Sequence, residues 1–342
     1  MMLSCVRETF ARVPLVLALM FCACGSGTKP PDTASEIVPL DDKSSKTAGP
    51  SSSAGSHTPS ETVSHAMKAI EAKQYEEAKG LLSKAVSKNS SDVLAHYYLG
   101  VACAGLADNS SAVTSFKRAI ELDPKFAEAY VNLSALQLDS KDSAAALATA
   151  ESGLKNANNP DLYLNRAIAL EALGKKDESV VAYGTAVQHM PENLSLRVTY
   201  AQLLAGSGKK EEALEQLRRV REGNDPKLLA IAAIVARQLG AHADCVAMLD
   251  RAITIKDLAA LRVRRGMCRE DLNDEAGAKI DYERAITMDG KFAPAHYYFG
   301  VLLQKAKEQK KACAEFALAV ELGGSQGIGP QAKKAISDLG CH

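Results

Sequence analysis

Residues 93–126 read VLAHYYLGVACAGLADNSSAVTSFKRAIELDPKF, and much later 293–322 read APAHYYFGVLLQKAKEQKKACAEFALAVEL. The two segments share an Ala-His-Tyr-Tyr opening, a glycine two residues on, and then Ala, Phe and Ala at the same spacing. A chain that repeats itself at a fixed interval folds as a row of small similar units, none of which buries its apolar face alone. Between these copies the frame recurs with a period of about 34 residues. The copies are marked by Tyr75, Ala78, Leu82 and Ala85; Leu99, Gly100, Ala112, Phe116, Ala119 and Pro124; Tyr130, Leu133, Ala146 and Gly153; Tyr163, Gly174, Tyr183, Ala186 and Pro191; Tyr200, Ala201, Gly208 and Ala213; Gly240, Cys245, Leu249 and Ala252; Gly266, Ala278, Tyr282 and Ala285; and Phe299, Gly300, Ala312, Phe316 and Ala319. Alanine and leucine dominate the apolar residues, aromatics are 5% and tryptophan is absent, so helix formers outweigh strand formers. The expected fold class is all-α.

A large residue, then Leu-Gly, then Ala, an aromatic, Ala and a proline-bearing turn resembles the tetratricopeptide repeat. The resemblance implies a right-handed α-solenoid of about eight helix pairs over 62–326, with a capping helix and tail at 327–342. Small Gly100 and Ala112 then mark close approach of the two helices of a pair. Phe116 fills the gap to the next pair, and Pro124 ends the second helix. The segment QAKKAISDL, 331–339, reads as the terminal cap that a repeat array needs.

The family also implies a concave groove lined by the first helix of each repeat. Projected onto this chain, the groove residues are Tyr97, Tyr98, Val101, Asn132, Asn165, Ile168, Gln202, Arg237, Arg264, Tyr297 and Tyr298. Tyrosine and arginine are enriched at binding hot spots, so the expected partner is a protein or peptide. Asn132 and Asn165 match part of the family's carboxylate clamp. Its basic positions are taken here by Glu128, Ser195 and Thr199, and the clamp is rejected. His96 and His296 occupy a packing position. Arg262, Arg264, Arg265 and Arg269 read as a solvated helix face beside Glu270 and Asp271.

The chain opens differently. Arg7 and Arg12 precede an apolar run, Val13 to Ala23, too short to span a membrane and followed by Cys24 and then Gly-Ser-Gly-Thr-Lys-Pro-Pro. This pattern predicts an export signal over 1–23. Phe21-Cys22-Ala23-Cys24 resembles a bacterial lipobox, which implies lipidation of Cys24. Gly25, in place of aspartate, implies the outer membrane facing the periplasm over the inner membrane. Residues 24–61 are rich in Ser, Gly, Pro and Thr and predict a disordered tether. As a flexible coil it would span roughly 30–35 Å on average and about 120 Å when fully stretched.

After removal of the signal, five thiols remain besides Cys24: Cys103, Cys245, Cys268, Cys313 and Cys341. Cys313 and Cys341 are expected to bridge the last repeat to the cap, since an envelope is oxidising. Cys245 with Cys268 is a second possible pair, with packing in a small-residue slot the alternative for Cys245 and Cys103. No closely spaced ligand set for zinc occurs in the body of the chain. There are 41 basic and 41 acidic residues, so the basic excess of a nucleic-acid binder is missing. No phosphate loop and no His-Glu-x-x-His is found. The expectation is a non-enzymatic envelope scaffold with no cofactor, metal, nucleic acid or small-molecule substrate. Two narrower roles share the layout: a pilotin-like factor for assembling the secretin of a pilus or secretion system, and a cell-wall adaptor recruiting peptidoglycan enzymes.

Overall fold

A computed structural model describes residues 57–325 and 327–341. The signal over 1–23, Cys24 and the tether up to residue 56 lie outside them. Among the described residues are seventeen α-helices and no strand. They fall into two compact units that divide between Pro191 and Glu192.

The first unit contains four antiparallel pairs: α1 (Glu61–Glu71) with α2 (Tyr75–Lys88), α3 (Val93–Gly105) with α4 (Asn109–Leu122), α5 (Ala127–Asp139) with α6 (Ser143–Asn156), and α7 (Pro160–Ala172) with α8 (Lys176–His189). The second contains α9 (Leu194–Gly206) with α10 (Lys210–Val220), α11 (Pro226–Gln238) with α12 (His242–Ile255), α13 (Ala259–Asp271) with α14 (Glu275–Met288), and α15 (Ala293–Lys305) with α16 (Gln309–Gly323). A last helix, α17 (Ile328–Leu339), packs on α16. Eight pairs and a cap match the all-α repeat fold read from the sequence, although helix begins at Glu61, within the stretch assigned to the tether.

The local chemistry is the same from repeat to repeat. The side chains of Ser60, Asp92, Asp108, Asp142, Asn159, Asn193, Asp225 and Asp274 accept backbone N–H groups at helix starts, satisfying donors that would otherwise lack a partner. Each first helix ends in one residue at positive φ: Lys73, Ala107, Lys141, Gly174, Gly208, Gly240, Asn273 and Lys307. The next residue then donates its N–H five positions back, as Asp108 does to the Cys103 carbonyl at 2.9 Å and Lys209 to the Leu204 carbonyl at 2.9 Å. This six-to-one hydrogen bond closes the helix and reverses the chain.

The recurrent glycines therefore form two classes. Gly174, Gly208 and Gly240 supply the left-handed turn. Gly100, Gly266 and Gly300 sit in mid-helix, where an added Cβ would stand 2.7 Å from the Phe116 ring, 2.5 Å from the Tyr282 ring and 2.8 Å from the Phe316 ring. All three rings are fully buried. In the first unit the core runs without a break from Val63 in α1 to Leu136 in α5, so each repeat covers the apolar face of its neighbour. Burying one such aromatic is worth about 1.5–3 kcal/mol.

Candidate protein-binding faces

Within each unit the first helices lie in sequence order, and a residue six places into each recurs every 32 to 34 positions: Tyr98, Asn132 and Asn165 in the first unit, Thr199, Ile231, Arg264 and Tyr298 in the second. This row decides what a face of first helices offers to another molecule.

In the first unit much of the expected groove turns inward. Tyr97 and Val101 are each 3% exposed and Asn165 is 8% exposed. Tyr97 packs edge-on against Tyr98 and Phe126, and its hydroxyl accepts from Asn132 at 2.9 Å. Burial pushes the Tyr97 hydroxyl pKa up, and Tyr98 and Glu128 push it the same way. Asn165 donates to the Val131 carbonyl and the Ser134 hydroxyl at 3.1 and 2.8 Å, tying α7 to α5. These three side chains hold repeats together, which corrects their placement as groove-lining residues. Tyr98, Asn132 and Ile168 remain half-buried on the face.

In the second unit Tyr297 is also interior, 6% exposed and packed on Phe316, a further correction. Arg237 lies half-buried, its Nε 2.5 Å from Asp271 Oδ2, and so joins α11 to α13. Gln202, Arg264 and Tyr298 are half-buried and Ile231 is 41% exposed. Ile231 was missed because an isoleucine in an alanine-rich helix reads as core. Its position in the row was the available signal.

The arginines of α13 are not a solvated face. Arg265 donates to Asp281 through Nε at 2.8 Å and Nη2 at 2.5 Å, Arg269 through Nη1 at 2.8 Å, and Arg262 through Nη1 at 3.5 Å. Asp281, on α14, is fully buried. Arg262 also holds Asp257, and Arg265 holds Asp250. A buried carboxylate with three guanidinium partners fixes how the pair docks, in keeping with the rule that buried charge is paired.

The histidines are structural, as the packing reading has it. His96 Nε2 lies 3.0 Å from the Ser90 carbonyl oxygen, and His296 Nε2 lies 3.1 Å from that of Gly290. Each pins the loop that enters its repeat. His296 Nδ1 additionally meets Glu315 at 2.7 Å. Cys313 is bonded to Cys341, joining α16 to the end of the cap, and Cys245 is bonded to Cys268, joining α12 to α13. Cys245 is thus bridged as well as packed. Cys103 is the one free cysteine among the described residues and is buried. Among those residues no group of three His, Cys, Asp or Glu side chains has the arrangement to hold a metal ion, and no helix is long and apolar enough to cross a membrane.

Stacked helix pairs with a recurring row of polar, aromatic and apolar side chains on the first helices define a class: an α-helical repeat scaffold. Comparison with known families agrees, since tetratricopeptide-repeat models match residues 64–125, 115–148 and 259–292. No curated protein matches the sequence. Among solved structures, YrrB, described as a tetratricopeptide-repeat protein with an unusual peptide-binding site, is 21% identical; the match covers 53% of this chain and 94% of YrrB, with a TM-score of 0.43. Pseudomonas aeruginosa pilF is 14% identical over 57% of this chain and 90% of its own, with a TM-score of 0.48. A tetratricopeptide-repeat protein of Parabacteroides merdae is 20% identical over 73% and 98%, with a TM-score of 0.43.

Proposed function

We propose that this chain is a lipid-anchored scaffold of the bacterial envelope, held to the outer membrane at Cys24 and facing the periplasm, whose first-helix faces hold a partner protein or peptide. The observation that carries the binding role is the row through Ile231, Arg264 and Tyr298. These side chains remain partly solvent-accessible, and the first two make no hydrogen bond or ion pair. Tyr298 packs with its inner side on the core, and arginine and tyrosine are the residue types enriched at binding hot spots, so the accessible parts of this row are suited to being covered by a partner.

The anchoring role rests on the lipobox-like Phe21-Cys22-Ala23-Cys24 and the short apolar run before it. Two disulfides in the repeat body suit an exported protein, because reduced compartments rarely keep such bonds. Several acyl chains on one cysteine hold a protein stably at a bilayer, each buried methylene contributing about 0.8 kcal/mol. Metabolic labelling with radioactive palmitate tests the anchor. Label should enter the wild-type chain and be absent from Cys24→Ala, with the variant released from the membrane fraction. Equal labelling of both removes Cys24 as the site.

A further inference from the structure

Arg264 is set apart from the other arginines of its helix. Arg262, Arg265 and Arg269 face α14 and converge on Asp281. At about 100° per residue, Arg264 points to the other side of α13, onto the first-helix face. It is half-buried, with neither a hydrogen bond nor an ion pair. Burial lowers its pKa, and the main group within electrostatic reach is Tyr298.

The carboxylates nearby are already engaged. Asp271 is held by Arg237 at 2.5 Å and lies 3.3 Å from His242. Glu270 accepts from the Tyr282 hydroxyl at 2.6 Å and from Lys305 at 2.5 Å. This leaves a partly desolvated guanidinium lacking its anion, between Ile231 one repeat before and Tyr298 one repeat after. A guanidinium in that setting pairs preferentially with a carboxylate, which it can grip with two parallel N–H groups.

We infer that the first-helix face of residues 192–341 takes an extended peptide segment bearing an aspartate or glutamate, whose carboxylate pairs with Arg264 while apolar residues on either side lie on Ile231 and Tyr298. The inference rests on the binding role proposed above and specifies the partner's chemistry. Ile231 and Tyr298 lie on the first helices before and after α13, so the apolar residues of the bound segment flank its acidic one.

The test is selection from a random dodecapeptide display library on the immobilised full-length chain, beside Arg264→Ala and Arg264→Glu. Wild type should enrich peptides with Asp or Glu flanked by aliphatic or aromatic residues. Arg264→Ala should lose the acidic preference, and Arg264→Glu should exchange it for Lys or Arg. For a selected peptide, replacing its acidic residue by the amide should weaken binding at least tenfold to wild type and less than twofold to Arg264→Ala. Unchanged thermal melting of Arg264→Ala confirms that the fold is intact. Enrichment of peptides without an acidic residue, abolished by Ile231→Glu, overturns the charge inference and leaves the binding role standing. An acidic preference that survives Arg264→Ala also overturns the inference. Failure to enrich any peptide overturns both.

Discussion

Replacing Gly266 by alanine sets two physical effects of opposite sign against each other. On helix propensity alone the change stabilises by about 1 kcal/mol. In α13, however, the new Cβ would stand 2.5 Å from Tyr282 Cε1 and 2.9 Å from Cζ, where carbons in contact sit about 3.5–4.0 Å apart. The ring must retreat by about 1 Å, yet Tyr282 is fully buried and its hydroxyl is fixed to Glu270 at 2.6 Å. Overpacking of this kind costs about 1–3 kcal/mol. Weakening a hydrogen bond to a charged group adds about 1.5–3 kcal/mol. Less the propensity gain, Gly266→Ala should destabilise by about 1.5–5 kcal/mol. Tyr298 stacks on Tyr282 with ring centroids 6.4 Å apart, so the displacement reaches the row on the first helices. Urea denaturation followed by helical circular dichroism measures the loss, beside Tyr282→Leu and the double variant. The smaller leucine leaves room for the Cβ, and the two changes should couple favourably by at least about 1 kcal/mol. A Gly266→Ala protein as stable as wild type, or more stable, refutes the close-approach reasoning.

Three further outcomes are expected. Asp281→Asn keeps the shape of a fully buried residue and removes the charge that three arginines share; melting should show a loss of about 3–5 kcal/mol, and no loss would mean the arginines are satisfied by solvent. The Asp108 carboxyl is held down to about 2, against 3.8 ordinarily, chiefly by the Lys79 side chain and then by Ser111. Its contribution is therefore complete above pH 4 or so and disappears as pH falls toward 2; an acid titration of Asp108→Asn should lack that part of the wild-type stability change. Cys341→Ser opens a crosslink whose ends are 28 residues apart, worth about 3–4 kcal/mol on the chain-entropy account. Amide exchange should accelerate in α17, and protection unchanged there would show that the Gln309 bond to the Leu339 carbonyl and apolar packing suffice.

The repeat frame was legible because its signal is redundant: Ala112, Phe116 and Ala119 have counterparts in nearly every copy, and one degenerate copy costs little. The capping helix was legible for the same reason, being an amphipathic remainder after the last copy. The glycines were pooled in the sequence because residue type alone does not separate a glycine needed for close approach, such as Gly300, from one needed for positive φ, such as Gly240. Five of the eight turns use Lys, Ala or Asn, so the turn position is defined by the backbone hydrogen bond and not by composition. The face was harder to read. Tyr97 and Tyr98 are adjacent and identical in type, and a rotation of about 100° separates the buried ring from the accessible one. Asp281 lies in the polar run Lys-Ile-Asp-Tyr-Glu-Arg, and its arginine partners are 12, 16 and 19 residues upstream. Only the pairing of α13 with α14 brings them together.

The central claim is that this protein works by covering its first-helix face with a partner. A photoreactive amino acid placed at Ile231, on that face, and at Ile280, on the second helix α14, tests it in living cells. Ile280 is 62% exposed against 41% for Ile231, so exposure alone favours crosslinks from position 280. The account predicts a discrete protein adduct from position 231 and little from 280. Adducts from position 280 that equal or exceed those from 231 would contradict it.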